Sequence, residues 1–167
     1  MLRGEQDSRV KRDVLALLVT GPENPQPFFP SRRKMKSNPG NETDVRWLLV
    51  EWAESTRLGR TENILANHAS DALIFDVLPP LQYEGADAYR KSWGDWQPET
   101  QGDGKFGFKN LLITAGDDVA FATGVIECGG TLANGHAFED IVRATFCLTK
   151  QNDAWTIRHQ HISKPMG

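Results

Sequence analysis

The sequence has few cysteines and no apolar run long enough to cross a membrane. Its two cysteines, Cys128 and Cys147, are too few for a disulfide framework and do not have the spacing of a metal site. They are typical of reduced core residues in an intracellular, cytoplasmic protein. The apolar stretch at residues 14–21 is short, follows three acidic residues and precedes no small-residue cleavage site. We therefore expect neither secretion nor a membrane partner.

Basic charge is scarce outside the N-terminal region. Residues 1–34 carry seven Lys or Arg against four Asp or Glu, a net charge of +3, whereas the remainder carries 12 against 18, a net charge of −6. An acidic domain binds a phosphate backbone poorly, so nucleic acid is not an expected partner. The sequence also lacks a phosphate-binding glycine loop and a nucleophile elbow, and we expect no organic cofactor.

The chain divides into an N-terminal arm, residues 1–40, and a domain, residues 41–167. Residues 22–40 contain five prolines and a basic run, which is typical of a linker or an extended arm. Apolar residues in 8–20 have helical spacing, but so short a helix is marginal unless it docks on something. We expect the arm to be extended or dispensable, with bacterial translation able to begin at Met35.

The domain begins with helical patterns and ends with strand patterns. Amphipathic spacing predicts helices over residues 41–60, 61–67 and 85–96, and a short strand over 71–77. From residue 105 onward, four long strand patterns are separated by turn signals. Helices followed by an antiparallel meander indicate an α+β fold, a cone-shaped roll with three helices packed on a strongly curved, mainly antiparallel sheet.

The long strands have two further features. Gly124, Gly129 and Gly130 interrupt them, and we expect bends or bulges at these positions. Apolar side chains fall on both faces of the strands, so the outer face of the sheet needs a cover that the helices do not supply. A homodimer formed through that face is the expected cover.

Four polar residues fall on strand faces that are otherwise apolar. Asp76 shares a face with Ile74, and Arg143 lies among small and apolar residues of its strand. If strand alternation continues to the end of the chain, His159 and His161 share the face of the preceding apolar residues. A buried charge is costly unless it is paired, so we expect these four side chains to meet in one cavity.

Each of these residues also has a structural interpretation. Asp76 could cap the turn that follows it, and Arg143 could lie on the outer face beside Glu139. The two histidines could bind backbone carbonyls, and with Asp76 they also have the composition of a metal site, but no further ligand motif accompanies them and we expect no metal. His68 and His136 fall in predicted loops and are expected at the surface.

Three stretches carry a family resemblance: HASDALIFDVLPPLQYEGADAYRKSW, LLITAGDDVAFATG and VRATFCLTKQNDAWTIRHQHISKP. From about residue 41 to residue 165, the chain resembles the SnoaL-like and ketosteroid-isomerase-like members of the nuclear transport factor 2-like superfamily. Its last stretch is also similar to the association domain of calcium/calmodulin-dependent kinase II. The superfamily contains isomerases, dehydratases, epoxide hydrolases, cyclases and non-enzymes, so the resemblance implies the fold and leaves the function open.

The resemblance assigns roles to individual residues. Asp76 matches the general base of the steroid isomerase, whereas the positions of its oxyanion-hole tyrosine and second acid fall on Trp52 and at or near Arg143. An arginine binds an anion and cannot act as a neutral acid. The candidate catalytic residues are therefore Asp76, His159 and His161, and the candidate substrate-binding residues are Arg143, Trp52, Tyr83, Phe75 and Trp93.

Three functions are compatible with the sequence. In the first, an isomerase- or lyase-type enzyme uses Asp76 or a histidine to move a proton on a small, mostly apolar carbonyl- or carboxylate-bearing compound. In the second, Arg143 and the histidines bind an anionic ligand without turnover. In the third, the domain is an oligomerisation module and the same residues form a structural network. A small-molecule ligand and a second copy of the chain are the expected partners.

Removal of residues 1–34 tests the assignment of the arm. The melting temperature, measured by calorimetry, should change by no more than a few degrees, because a loss of about 1 kcal/mol moves a domain of this size by roughly 2–4 °C. A much larger fall, or loss of the oligomer, would show that the arm is an integral part of the fold.

Overall fold

A computed structural model describes residues 36–96 and 100–165, without the side chains of 93–96 and 100–103. The expectations for the arm, and those for the side chain of Trp93, lie outside the described residues. The described residues belong to one compact unit, Met35–Gly167. None of the helices in this part of the chain combines the length and apolar character that a membrane span requires.

The domain contains three helices and six strands within the described residues, and the fold is α+β as expected. In chain order they are α1 (Pro39–Arg57), α2 (Thr61–Ile64), β1 (His68–Phe75), β2 (Tyr83–Glu84), α3 (Ala86–Trp96), β3 (Thr100–Ala115), β4 (Val119–Leu132), β5 (Ala137–Gln151) and β6 (Ala154–Ser163). The six strands form one sheet in the order β2-β1-β6-β5-β4-β3. Strands β1 and β6 are parallel, and every other neighbouring pair is antiparallel.

Helix α1 begins slightly earlier than its sequence pattern indicates. Asn38 is the N-cap, its side chain accepts the backbone N–H of Asn41, and Pro39 occupies the first turn. The side chain of Asn41 donates to the carbonyl of Gly116 at 2.7 Å and ties the helix to the β3–β4 turn. The helix ends before Gly59, which has a φ of 63° and supplies the left-handed residue that a C-terminus favours.

The core lies between α1 and the concave face of the sheet. Helix α1 places one apolar stripe against the strands, and the strands contribute the residues that alternate inward. The largest fully buried apolar side chains are Phe146, Leu49, Ile74, Ile126, Leu148, Ile157 and Val45.

The register of β3 against β4 is irregular at two places. One extra residue of β3, Lys109, lies near Gly124, and the three residues 102–104 lie opposite the single residue Gly130, next to Gly129. The irregularities therefore lie beside the glycines predicted to bend the sheet, but the extra residues belong to the partner strand. A Cβ atom built on Gly124 would lie 2.7 Å from the Phe108 ring, so the glycine allows close approach of β3.

Strand β6 carries a bulge that reverses which of its side chains face the core. On β5, Leu148 pairs with Ile157 and the adjacent Cys147 pairs with His159. This leaves Arg158 of β6 without an opposite residue. Before the bulge Ile157 is buried, whereas after it Gln160 is the buried residue. The second half of β6 therefore presents the even-numbered residues to the core.

Substitution of Gly124 tests the close packing of β3 against β4. Gly124→Ala should lower the free energy of unfolding by about 1–3 kcal/mol, because the new methyl group presses on the Phe108 ring and on the Asn110 carbonyl. Gly107→Ala is the matched control, since a Cβ atom at that strand position meets nothing within 4 Å. Equal denaturant midpoints for the two variants would contradict the prediction.

Candidate active site

A cavity of about 260 Å³ opens between the helices and the concave face of the sheet. Its apolar lining includes Trp52, Ile64, Phe106, Phe138, Val142 and Ile162. Its polar lining includes Thr56, Arg57, Asp76, Tyr89, Lys105 and Gln160. An apolar cavity of about 150 Å³ holds benzene, so this volume suits a compound of one or two rings.

Asp76 is the acidic group of the cavity. It directly follows β1 on the same side as the buried Ile74, so alternation along the strand turns its side chain inward. Its Oδ1 accepts the backbone N–H of Val77 at 2.6 Å, and its Oδ2 accepts the hydroxyl of Tyr89. Burial raises the pKa of Asp76 above its usual range, and the hydrogen bonds from Tyr89 and Val77 oppose that shift without cancelling it. The carboxylate is therefore a stronger base than an exposed aspartate.

Two tyrosines support this carboxylate. Tyr89 is buried on α3, and its ring packs on that of Tyr83 with centroids 5.0 Å apart. The Tyr83 hydroxyl donates to the carbonyl of Pro79 at 3.1 Å. Tyr83, expected to line the cavity, instead packs behind Tyr89. Tyr89 was not among the site residues predicted from the sequence, because nothing local indicates that its hydroxyl reaches Asp76.

Trp52 forms one wall of the cavity, as expected. Its ring meets those of Phe146 and Phe106 edge to face, with centroids 5.0 and 5.6 Å apart. The indole N–H is buried and has no hydrogen-bond partner among the described residues. A donor left unpaired beside a cavity costs stability unless a ligand accepts from it.

Gln160 and His68 form a second polar pair, which the sequence did not reveal. Gln160 is only 1% exposed and lines the cavity, and its Oε1 lies 2.9 Å from Nε2 of the buried His68. Burial lowers the pKa of His68, opposed in part by the hydrogen bond to Gln160, so the ring is neutral at neutral pH. The expectation of a surface position for His68 is wrong, because β1 begins at this residue and lies beside β6.

The two expected catalytic histidines do not line the cavity. The bulge at Arg158 turns both of them to the outer face of the sheet, where their rings meet Phe75 at centroid distances of 4.9 Å for His159 and 5.6 Å for His161. Nδ1 of His159 lies 2.8 Å from the carbonyl oxygen of Leu73. Phe75, an expected lining residue, therefore belongs to the outer face as well.

Arg143 is exposed on the outer face of β5, because its neighbours Val142 and Ala144 are the residues that face the core. The structure thus does not bring the four expected polar residues into one cavity. It does bring two of them to one place, since a shallow surface groove is bordered by both Asp76 and His161. Asp76 therefore lies between the inner cavity and this groove.

The cysteines are not core residues. Cys147 is exposed, whereas Cys128 is half-buried, lines the cavity and has its Sγ 3.6 Å from the carbonyl oxygen of Asp140. Burial raises the pKa of the Cys128 thiol, so this group is a poor nucleophile at neutral pH.

Solved structures share this fold. A protein of unknown function from Pseudomonas putida, described as similar to nuclear transport factor 2, is 27% identical over 78% of this chain and 91% of its own, with a TM-score of 0.69. A ketosteroid isomerase-like protein from Erwinia carotovora is 15% identical over 78% of this chain and 100% of its own, with a TM-score of 0.65. The association domain of calcium/calmodulin-dependent kinase II from Caenorhabditis elegans is 15% identical over 75% of this chain and 96% of its own, with a TM-score of 0.62.

No curated protein matches the chain. The family model for the SnoaL-like domain, however, matches residues 45–167, a span that runs from the first helix through the last strand. The chain therefore belongs to the SnoaL-like family.

Proposed function

We propose that this protein binds a small, mostly apolar carbonyl compound and uses Asp76 to transfer a proton on it, as an isomerase- or lyase-type enzyme does. The observation that carries the proposal is the position of Asp76, a half-buried carboxylate with a raised pKa at the wall of an apolar cavity. A general base is most effective when its pKa lies near the working pH, and burial moves Asp76 in that direction.

The charges around the cavity favour a neutral carbonyl over a carboxylate. The cationic side chains among its described lining residues are Arg57 and Lys105. Arg57 binds Glu54 at 2.8 Å, and Lys105 lies 3.3 Å from Glu127. Both positive charges therefore already have carboxylate partners, whereas a ligand carboxylate would add a second negative charge near Asp76.

The proposed step is a proton transfer between carbon and oxygen. A carboxylate oxygen of Asp76 takes the proton from the carbon next to the carbonyl, and the electron pair of the C–H bond moves to the carbonyl oxygen as an enolate. Return of the proton to another carbon completes an isomerisation, whereas loss of a β-substituent completes an elimination. Each Asp76 oxygen keeps a lone pair for the transfer, because Val77 and Tyr89 each use only one.

The outer face of the sheet supports a second proposal, a homodimer. Phe121 is 46% exposed and Val119 is 50% exposed on β4, and Leu112 is 64% exposed on the neighbouring strand β3. Exposed apolar residues in one region mark an interaction surface. A second copy of the chain offers the same apolar face, and the association domain that shares this fold shows that an assembly role is compatible with it.

Deuterium exchange tests the role of Asp76. In D₂O, the protein should catalyse exchange of the C–H protons beside the carbonyl of 2-indanone, a two-ring ketone, as measured by proton NMR. Asp76→Asn should lower the rate above buffer by roughly 10²-fold or more, since a general base contributes about that much. Asp44→Asn, at an exposed position of α1, is the matched control and should leave the rate unchanged. Exchange retained in Asp76→Asn would assign the proton transfer to another group.

The stability of the same variant separates loss of chemistry from loss of fold. The pKa of Asp76 is raised in the folded state, so its stabilising contribution is complete below the unfolded pKa of about 3.9 and is lost as the pH rises through the folded value. At pH 7 the folded state holds a buried charge that Asp76→Asn removes. The variant should therefore unfold at an equal or higher denaturant concentration than the wild type at pH 7.

Light scattering tests the homodimer. At high micromolar concentration the wild-type chain should have twice the monomer mass of 18.7 kDa. Phe121→Lys should shift the mass towards that of the monomer, because the charge must be desolvated in the interface. Val50→Lys, at a partly exposed apolar position of α1, is the control and should leave the dimer intact. A monomeric wild type would overturn the proposal.

A further inference from the structure

The amide of Gln160 has a donor that no described residue accepts from. This side chain is 1% exposed, lines the cavity and, within the described residues, makes its one hydrogen bond through Oε1 to His68. Its amide nitrogen carries two N–H groups. A buried amide donor costs free energy unless it finds an acceptor, and in a cavity that acceptor is a ligand.

His68 determines which end of the amide is available. A neutral imidazole has one N–H and one lone pair, and Nε2 faces the amide oxygen, so Nε2 carries the proton and donates. Nδ1 of His68 then carries a lone pair, which has no hydrogen-bond partner among the described residues. Rotation of the amide would instead place the imidazole proton on Nδ1 and leave a buried N–H unpaired. An N–H at Nδ1 would be buried away from the cavity, where no ligand can accept from it, whereas the amide N–H of Gln160 borders the cavity, so the rotated arrangement is the costlier one.

We propose that the amide N–H of Gln160 binds the carbonyl oxygen of the ligand, and that His68 is a positioning residue that holds the amide in this orientation. This inference rests on the proposed function of the cavity, and it names the hydrogen-bond donor that would bind the carbonyl oxygen of the ligand. Gln160 would contact the ligand, whereas His68 would act only through Gln160.

The position of Gln160 relative to Asp76 fits this role. Strands β1 and β6 are parallel neighbours, and Ile74 pairs with Gln160. Asp76 follows Ile74 by two residues on the same face, so it lies diagonally opposite Gln160, with Cβ atoms roughly 7 Å apart by strand geometry. A carbonyl group and its neighbouring carbon can bridge this separation. Negative charge that develops on the oxygen during proton removal would then meet a preorganised donor.

A matched pair of ligands tests the hydrogen bond. Indane has the size and rings of 2-indanone but no carbonyl, so it leaves the amide unpaired. We expect the preference for 2-indanone over indane, measured as the ratio of the two dissociation constants by NMR titration, to fall about tenfold in Gln160→Met. Gln82→Met, at an exposed position, should leave the ratio unchanged. An unchanged ratio in Gln160→Met would overturn the inference.

The carbonyl stretching frequency of bound 2-indanone tests the positioning role of His68. A hydrogen bond lowers this frequency, so it should rise in both Gln160→Met and His68→Phe. If His68→Phe changes stability but not the frequency, His68 has a structural role only and the positioning claim is wrong.

A measurement on the ligand-free wild-type protein keeps the test independent of whether the variants fold. The ¹⁵N chemical shifts of His68 should show the tautomer protonated at Nε2. Protonation at Nδ1 would overturn the inference, because Gln160 would then present its oxygen to the cavity.

The results separate this inference from the proposed function. If deuterium exchange depends on Asp76 but the preference for 2-indanone does not depend on Gln160, the proposed proton transfer is supported and the role of Gln160 is rejected. If the preference for 2-indanone depends on Gln160 but the wild type catalyses no deuterium exchange, the binding role of the cavity is supported and its catalytic role is rejected. Uptake of neither compound would reject both.

Discussion

The bulge at Arg158 determines the chemistry of the cavity, because it decides which half of the last strand faces inward. With a regular strand, two imidazoles would lie beside Asp76. With the bulge, the cavity receives Gln160 and Ile162 instead, an uncharged amide and an apolar side chain. A nearby imidazolium would lower the pKa of a carboxylate, whereas Gln160 and Ile162 are neutral and add nothing to the partial opposition from the hydrogen bonds of Tyr89 and Val77. The raised pKa of Asp76 therefore depends on the register of a different strand. Arg158 itself donates to Asp71 at 2.8 Å, which links the bulge to the neighbouring strand β1.

Three groups that cost stability lie at or near this cavity. They are a half-buried carboxylate, an unpaired indole N–H and an imidazole with one unpaired nitrogen, at its wall or one residue behind it. In a core selected only for stability, apolar side chains of similar volume would avoid each of these costs. The aromatic side chains packed around Phe146 contribute stability that can compensate for them.

The fold could be predicted from the sequence because the long elements have clear periods and clear turn signals. Asp76 could also be identified, since the alternation from Ile74 to Asp76 has no irregularity and the resemblance supports it. The positions of His159 and His161 could not be predicted from the sequence. One extra residue in a strand reverses the face on which every later side chain lies, and no glycine or proline beside Arg158 marks a bulge there. Gln160 was missed for the same reason, as regular alternation places it on the outer face. His68 was missed because the boundary of β1 lies three residues earlier than its apolar run suggests.

The inner site and the outer face are physically coupled through Asp76. This residue borders both the cavity and the shallow groove that contains His161, and the groove opens at the end of β6 beside Lys164. A second copy of the chain packed on the outer face would cover His161 and displace water from the groove. The carboxylate would then lose its remaining access to solvent, which disfavours its charged form further. In such a dimer, the apolar outer face would contribute to the basicity of Asp76 as well as to assembly, and substitutions there would affect proton transfer without contacting the ligand.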